Sequence, residues 1–280
     1  MAKKTTPAAA SKTANLPAKA PAPSSVPAEF LSGMAGMGTG FENVTAKDLL
    51  IPRLTILQAL SPQVIRTKAE YDAEAKVGDI YDVALTQRFE EGVHILPIHY
   101  LVQWLEWAPR NTGKGLVRIH DVCPAADYYT TNDKGQMVSK KGNNLIQETG
   151  QLYILNLSAN ARPSFIPFAS TQLKKARKLL TWATNEKIIV NGVEQTPPLF
   201  YRTYKCSSVP ESNSEGDWMG WKIEPDVPVT ELSEWASRFN AVKQFRKSVI
   251  DGEVRADLSQ DDVVDVTANR TASADEGRVM

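Results

Sequence analysis

Hydrophobic and polar positions along Val93–Trp107 follow the two-residue period of an extended strand. His94, Leu96, Ile98, Tyr100, Val102 and Trp104 share one face, and Ile95, Pro97, His99, Leu101, Gln103, Leu105 and Trp107 share the other. Because both faces are largely apolar or aromatic, the pattern predicts a long central strand, curved and covered on each side. Shorter apolar runs predict strands at 49–58, with Pro52 near the start where a missing amide is tolerated, and at 78–83, 116–122, 151–157 and 164–168. Asn191-Gly192 between two apolar runs predicts a type I′ hairpin, since both positions accept positive φ. A second hairpin is expected to join 200–207 to 218–223 through a loop at 210–217. The stretch 127–148 reads as polar, with a turn at Asn132–Gly135 and a loop at Lys140–Asn143.

The period lengthens to that of a helix twice. In 170–182, Leu173, Ala176, Leu179, Leu180 and Ala183 form an apolar stripe, which turns Lys174, Lys175, Arg177 and Lys178 outward, and Ser170 or Thr171 is placed to cap the first free amides. In 229–250 the stripe is Leu232, Trp235, Phe239, Val242, Phe245 and Val249; Glu231 and Glu234 sit at the N-terminal end of this helix and Lys243, Arg246 and Lys247 at its C-terminal end, complementing the helix dipole. Roughly nine strands with two late helices, and no strand–helix alternation, predict a mainly β chain. The expected architecture is an OB-fold-like (oligonucleotide-binding) antiparallel barrel with extra hairpins.

Composition divides the 280 residues into three parts. Residues 1–44 form an Ala/Pro/Lys-rich arm ending in a Gly-rich hinge at 33–40; they bury too little to offset ordering and are expected to be disordered. The hinge resembles a phosphate loop only in glycine content, because no Gly-Lys-Ser/Thr follows. Residues 45–250 hold the folding domain, and 251–280 form an acidic, flexible tail that balances the basic helix in a chain of zero net charge. Two cysteines, Cys123 and Cys206, fit a reducing cytoplasm, and no apolar run is long enough to be a signal or a membrane span.

The search for catalytic chemistry yields little. His94 and His99 project to opposite faces of one strand and cannot share a metal without a bulge, while His120 and Cys123 have only distant Cys206 as a further thiol. No nucleophile elbow, zinc-protease helix or Walker lysine occurs, and Asp79, Asp82, Glu106 and Glu148 are scattered acids such as any chain of this length offers. The expectation is a non-enzymatic protein with no catalytic residue, metal or cofactor.

Aromatic residues interleaved with cations carry the stronger signal, since proteins that hold single strands stack bases on rings and track phosphates with Lys and Arg. Tyr100, Trp104, Trp107 and Arg110 end the long strand, followed by Lys114 and Arg118. Arg202, Tyr204 and Lys205 alternate on another strand, and Trp218 with Lys222 on a third, while Trp182 and Trp235 lie on helix faces expected to be internal. With Lys174, Lys175, Arg177 and Lys178 these residues make up the predicted nucleic-acid site. In the tail, Asp261, Asp262, Val263, Val264 and Asp265 alternate acids with valines, a pattern suited to partner docking on a sheet edge or in a basic groove.

Several segments together resemble the single-stranded DNA-binding proteins of tailed-phage replication and recombination modules: Ile51–Gln58, Gly78–Tyr81, Pro97–Arg110, Ser170–Lys178, and Val209-Pro-Glu-Ser-Asn213 with Gly216-Asp-Trp-Met-Gly-Trp-Lys222. The resemblance implies an OB-type fold, the host cytoplasm, no cofactor, and single-stranded DNA as partner, with replication or recombination proteins reached through the tail and homo-oligomers allowed. Such proteins often finish in a dense acidic run with a terminal aromatic, whereas this chain ends Arg278-Val279-Met280. Two rival functions remain open on the residues: a phage structural or assembly protein using its aromatics at subunit interfaces, and a metal-dependent nuclease.

Overall fold

The computed structural model describes residues 51–258 apart from 110, 111, 113, 114, 215, 234, 255 and 257. The Ala/Pro/Lys-rich arm, the Gly-rich hinge and the tail from 259 onward therefore lie outside the described residues. Two long strands organise the rest: β4, Val93–Trp107, and β8, Leu145–Asn156. In chain order the other strands are β1 (Leu54–Ile56), β2 (Ile80–Asp82), β3 (Gln87–Phe89), β5 (Leu116–His120), β6 (Tyr129–Thr131), β7 (Met137–Ser139), β9 (Arg162–Ala169), β10 (Ile188–Val190), β11 (Val193–Gln195), β12 (Arg202–Asn213) and β13 (Gly216–Pro228). Helix α1 spans Leu173–Asn185 and α2 spans Trp235–Ile250. The chain is thus mainly β, with a curled antiparallel sheet forming a half-barrel, added hairpins and two helices, as the hydrophobic pattern predicts.

β4 and β8 pair antiparallel from Ile95↔Asn156 to Trp107↔Leu145, and each takes two partners in succession along its other edge. At one end β12 and β13 add to β4, and β9 adds to β8, giving the half-barrel body. At the other end β5 adds to β4, and β7 then β6 add to β8, giving a finger that extends the same two strands. The polar stretch 127–148, expected to be turns and loop, thus holds β6, β7 and the first residues of β8. Its Asn132–Gly135 turn forms as predicted, Gly135 at φ 75° donating its amide to the Asn132 carbonyl at 2.9 Å.

A bulge between Pro97 and His99 changes the predicted faces of β4. Proline has no amide to give the ladder, and the extra residue there reverses the alternation. Val93 and Ile95 point into the barrel core, whereas Leu96 and Ile98 join the outer core; beyond the bulge Tyr100 packs inward and Leu101 outward. Tyr100 and Trp104 consequently do not share a face with Leu96 and Ile98, and His94 and His99 lie on one side instead of two.

The inner core gathers Leu54, Ile80, Ile95, Leu152, Ile154, Phe168, Tyr204 and Trp221, closed by Leu173, Ala176 and Leu179 of α1. On the opposite face, Val242, Phe245 and Val249 of α2 cover Leu96, Ile98, Tyr153, Leu155 and Phe165. The predicted second helix begins later than expected: Val229–Glu231 is a 3-10 turn, and Phe239, placed on the buried stripe, is 36% exposed against Trp235. Asn191 (φ 52°) and Gly192 (φ 78°) make the β10–β11 turn as their dipeptide predicts. The second hairpin is longer than expected, because 210–213 and 216–217 continue the β12–β13 ladder.

The body curls until β1 meets both margins. Phe165 donates its amide to the Pro52 carbonyl at 2.9 Å on the β9 side. On the β13 side, the Gln58 amide side chain both accepts from the Met219 N–H and donates to the Met219 carbonyl, each at 2.9 Å. The next amide along that edge, Trp221, donates to the Gln172 side chain at 2.9 Å. Two glutamines thereby fill the slots of a missing strand.

Candidate nucleic-acid interface

Beyond the bulge, the inner row of β4 reads Tyr100, Val102, Trp104, Glu106. Residues directly opposite in an antiparallel pair share a face, so this row stands beside Leu152, Gly150, Glu148 and Ile146 of β8 and beside His120 and Arg118 of β5. Gly150 leaves the room in which the Tyr100 ring lies, since a β-carbon there would collide with the phenol. The Tyr100 hydroxyl pKa is raised, by burial first and then by the Glu148 charge, with Arg177 opposing. Trp104 is half-buried between His120 and Glu148.

Helix α1 faces this row. Leu173, Ala176 and Leu179 are buried as predicted, Lys174, Arg177 and Lys178 are exposed, and Lys175 is half-buried. The predicted cap does not form: Ser170 opens a 3-10 turn at φ 50°, and Gln172 at the cap position is helical without a capping bond. Its side chain is committed to the sheet, accepting from Trp221 and donating to Glu211 at 2.9 Å. The four cations have unequal circumstances. Lys175 pairs with Glu211 at 2.5 Å, Arg177 pairs with Glu148 at 2.9 Å, and Lys178 sits 4.8 Å from the centre of the Trp182 ring. Among the described residues Lys174 makes no ion pair.

The remaining predicted residues divide between the core and another surface. Tyr204 is 0% exposed inside the barrel, with burial pushing its hydroxyl up to about 12, so it is a core residue and offers no ring for stacking. Arg202 beside it is gripped by Glu186 and by the Asp226 carbonyl. Trp107 packs against the outer core with Leu116. Lys205 and Lys222 are exposed on the convex side of β12–β13, Lys222 paired with Glu224 at 3.0 Å. Trp218 is half-buried and donates its Nε1 hydrogen to Glu211 at 3.0 Å. Glu211 lies against Gly220, where any β-carbon would strike its carboxylate, and its pKa is lowered: burial alone would raise it, but bonds from Lys175, Gln172 and Trp218 outweigh that. Arg110, Lys114, Asp261, Asp262, Val263, Val264 and Asp265 lie outside the described residues. What the structure brings together is therefore Tyr100, Trp104 and Arg177, with Arg118 opposite Glu106 further along the same face and Lys174 one turn from Arg177 on α1.

Sequence reasoning missed the centre of the finger. Glu106, 2% exposed, accepts from His120 Nε2 at 2.9 Å, Tyr128 Oη at 2.8 Å and Asn144 Nδ2 at 2.8 Å. Burial would raise its pKa, yet these bonds and one from Ser139 outweigh it and hold the carboxyl at about 2. The knot ties β4, β5, the segment before β6 and the β7–β8 loop together, and only the strand register brings its members to one place. The other two histidines have separate partners: His94 bonds Asp226 at 3.0 Å, and His99 packs against Tyr153. Although the bulge sets them on one side, they stand about 15 Å apart along the strand. Among the described residues no group of three or more His, Cys, Asp or Glu side chains is placed to share a metal ion, and no described helix is long and apolar enough to cross a membrane.

A family model for the Pam3 phage gp34-like protein matches residues 19–255, well over half of the chain. The chain belongs to the Pam3 phage gp34-like family. No curated protein and no solved structure gives a significant match. The phage part of the resemblance drawn from the sequence is thereby borne out. The matched region of this gp34-like chain includes finger, half-barrel and both helices.

Proposed function

We propose that this gp34-like phage protein binds single-stranded DNA without catalysis, coating and protecting exposed strands in the host cytoplasm during replication or recombination. The reading rests on one juxtaposition. Arg177 of the basic helix reaches Glu148, the residue opposite Trp104, and its charge acts on the Tyr100 hydroxyl, so rings and cations meet on one concave face. Unpaired bases stack on half-exposed rings while phosphates approach Arg177, Lys174 and Arg118. The decisive measurement is a salt-varied titration of tryptophan fluorescence with single- and double-stranded oligonucleotides. Single strands are expected to quench fluorescence, with affinity falling steeply as salt rises, and Trp104→Ala is expected to weaken binding by about 1–3 kcal/mol. Equal affinity for duplex, or no binding at low salt, would refute the proposal.

The exposed β10–β11 hairpin favours a second reading, that of a phage structural or assembly protein. Ile189 is 78% and Val193 59% exposed on a two-stranded element that gains little stability alone. That reading expects a stable oligomer by sedimentation and no response to DNA.

A further inference from the structure

We infer that Glu148 is a built-in competitor for the phosphate site, so that a strand enters the concave face only by exchanging places with this carboxylate on Arg177. The inference rests on the single-strand reading above and names the residue that sets its threshold. Two acids of the sheet reach α1, and they are not equivalent. Glu211 is enclosed: its side chain is 19% exposed, that of Lys175 is 32%, and Gln172 and Trp218 also donate to it. Glu148 is open: its side chain is 35% exposed and that of Arg177 is 61%, with a single contact at 2.9 Å between them.

An exposed pair of this kind is weak and exchangeable, whereas a carboxylate with three donors around it is fixed. A guanidinium can take a phosphate through two parallel bonds and so prefers it to a single carboxylate contact. Position adds to the effect of exposure. Glu148 stands opposite Trp104 and its charge reaches Tyr100, so a base on either ring brings its phosphate to the carboxylate before it can reach Arg177. Repulsion between the two anions then discriminates against loosely held strands, and the pair re-forms when the strand leaves. Glu211, turned to the β13 edge, takes no part in this exchange.

The test uses the full chain and an oligothymidylate of about 20 nucleotides, longer than a typical single site. Affinity is measured against salt for the wild type, Glu148→Gln, Arg177→Gln, the double variant and Glu211→Gln. Glu148→Gln, nearly isosteric at an exposed position, should melt as the wild type does. It is expected to bind about two- to fivefold tighter. The slope of log affinity on log salt should match the wild type in Glu148→Gln, because Arg177 takes the phosphate in both, and should flatten by about 0.7 in Arg177→Gln, the increment of one phosphate contact on a single strand. The gain should vanish in the Arg177→Gln background. A wild type that binds while Glu148→Gln leaves the affinity unchanged would overturn the inference and leave the DNA-binding reading standing. So would a gain that survives without Arg177, or an equal gain in Glu211→Gln. A wild type that does not bind would overturn both.

Discussion

The body and the finger are built on the same two strands, yet they are held together differently. Along the body, β4 and β8 are covered by apolar packing on both faces, the barrel core on one side and α2 on the other, with Gln151 and Asn156 as buried polar exceptions. Along the finger, the inner face of the same strands closes on a buried carboxylate with His120, Tyr128 and Asn144 around it. Hydrophobic burial is non-directional and indifferent to pH, whereas a charged knot depends on geometry and on protonation. One pair of strands thus carries a permanent half and a conditional half, and the candidate interface lies where they join.

The largest expected effect probes the permanent half. Phe168, 0% exposed against Trp221, anchors the inner core, and Phe168→Ala should destabilise the whole chain by about 3–5 kcal/mol in denaturant melts. Loss confined to β9 and α1 by hydrogen exchange would show that the body is not one cooperative unit.

Next comes acid, which should separate the halves. Glu106 is held at about 2 against an ordinary value of 4.5, so its folded pKa is depressed. Its contribution, about 3 kcal/mol, is present in full above pH about 4.5 and is lost progressively as pH falls toward about 2. Amides of β5, β6 and β7 should lose exchange protection in that window while those of β12 and β13 keep theirs. Glu106→Gln should remove the pH dependence, and a finger that opens with the same profile in that variant would refute the role of the knot.

The smallest effect falls at the junction. Gly150→Ala places a methyl where the Tyr100 phenol lies, so the ring must lift from the sheet. The expected loss is about 1 kcal/mol, with Tyr100 more exposed to collisional quenchers and little change in finger exchange. Full destabilisation of the finger would mean that ring and knot are mechanically linked.

The two halves also differ in how legible they are in the sequence. The extent of β4, its cover on both faces, the Asn191-Gly192 hairpin and the buried stripe of α1 all follow from periodicity, because apolar packing leaves a periodic trace. The Pro97 bulge leaves none beyond the proline itself, and it reversed the faces expected for everything after it. Strands β6 (Tyr-Thr-Thr) and β7 (Met-Val-Ser) are three residues each, too short to leave a two-residue period, so the pattern there reads as loop. Glu106 looked like one scattered acid because its partners come from three separate segments. For the candidate site, residue types point to Trp104 and α1, whereas alternation alone puts Tyr204 at the surface when its strand turns that ring into the core.

The neutral seal at the β13 margin bears on how the molecule behaves among its own copies. Open sheet margins recruit foreign strands, and charged guards against this weaken when acid or salt removes their repulsion. Gln58 and Gln172 carry no charge to lose, and they occupy the backbone groups themselves. At Met219 and Trp221, therefore, the backbone groups that a foreign strand would seek are already taken, by side chains that belong to the body and not to the finger.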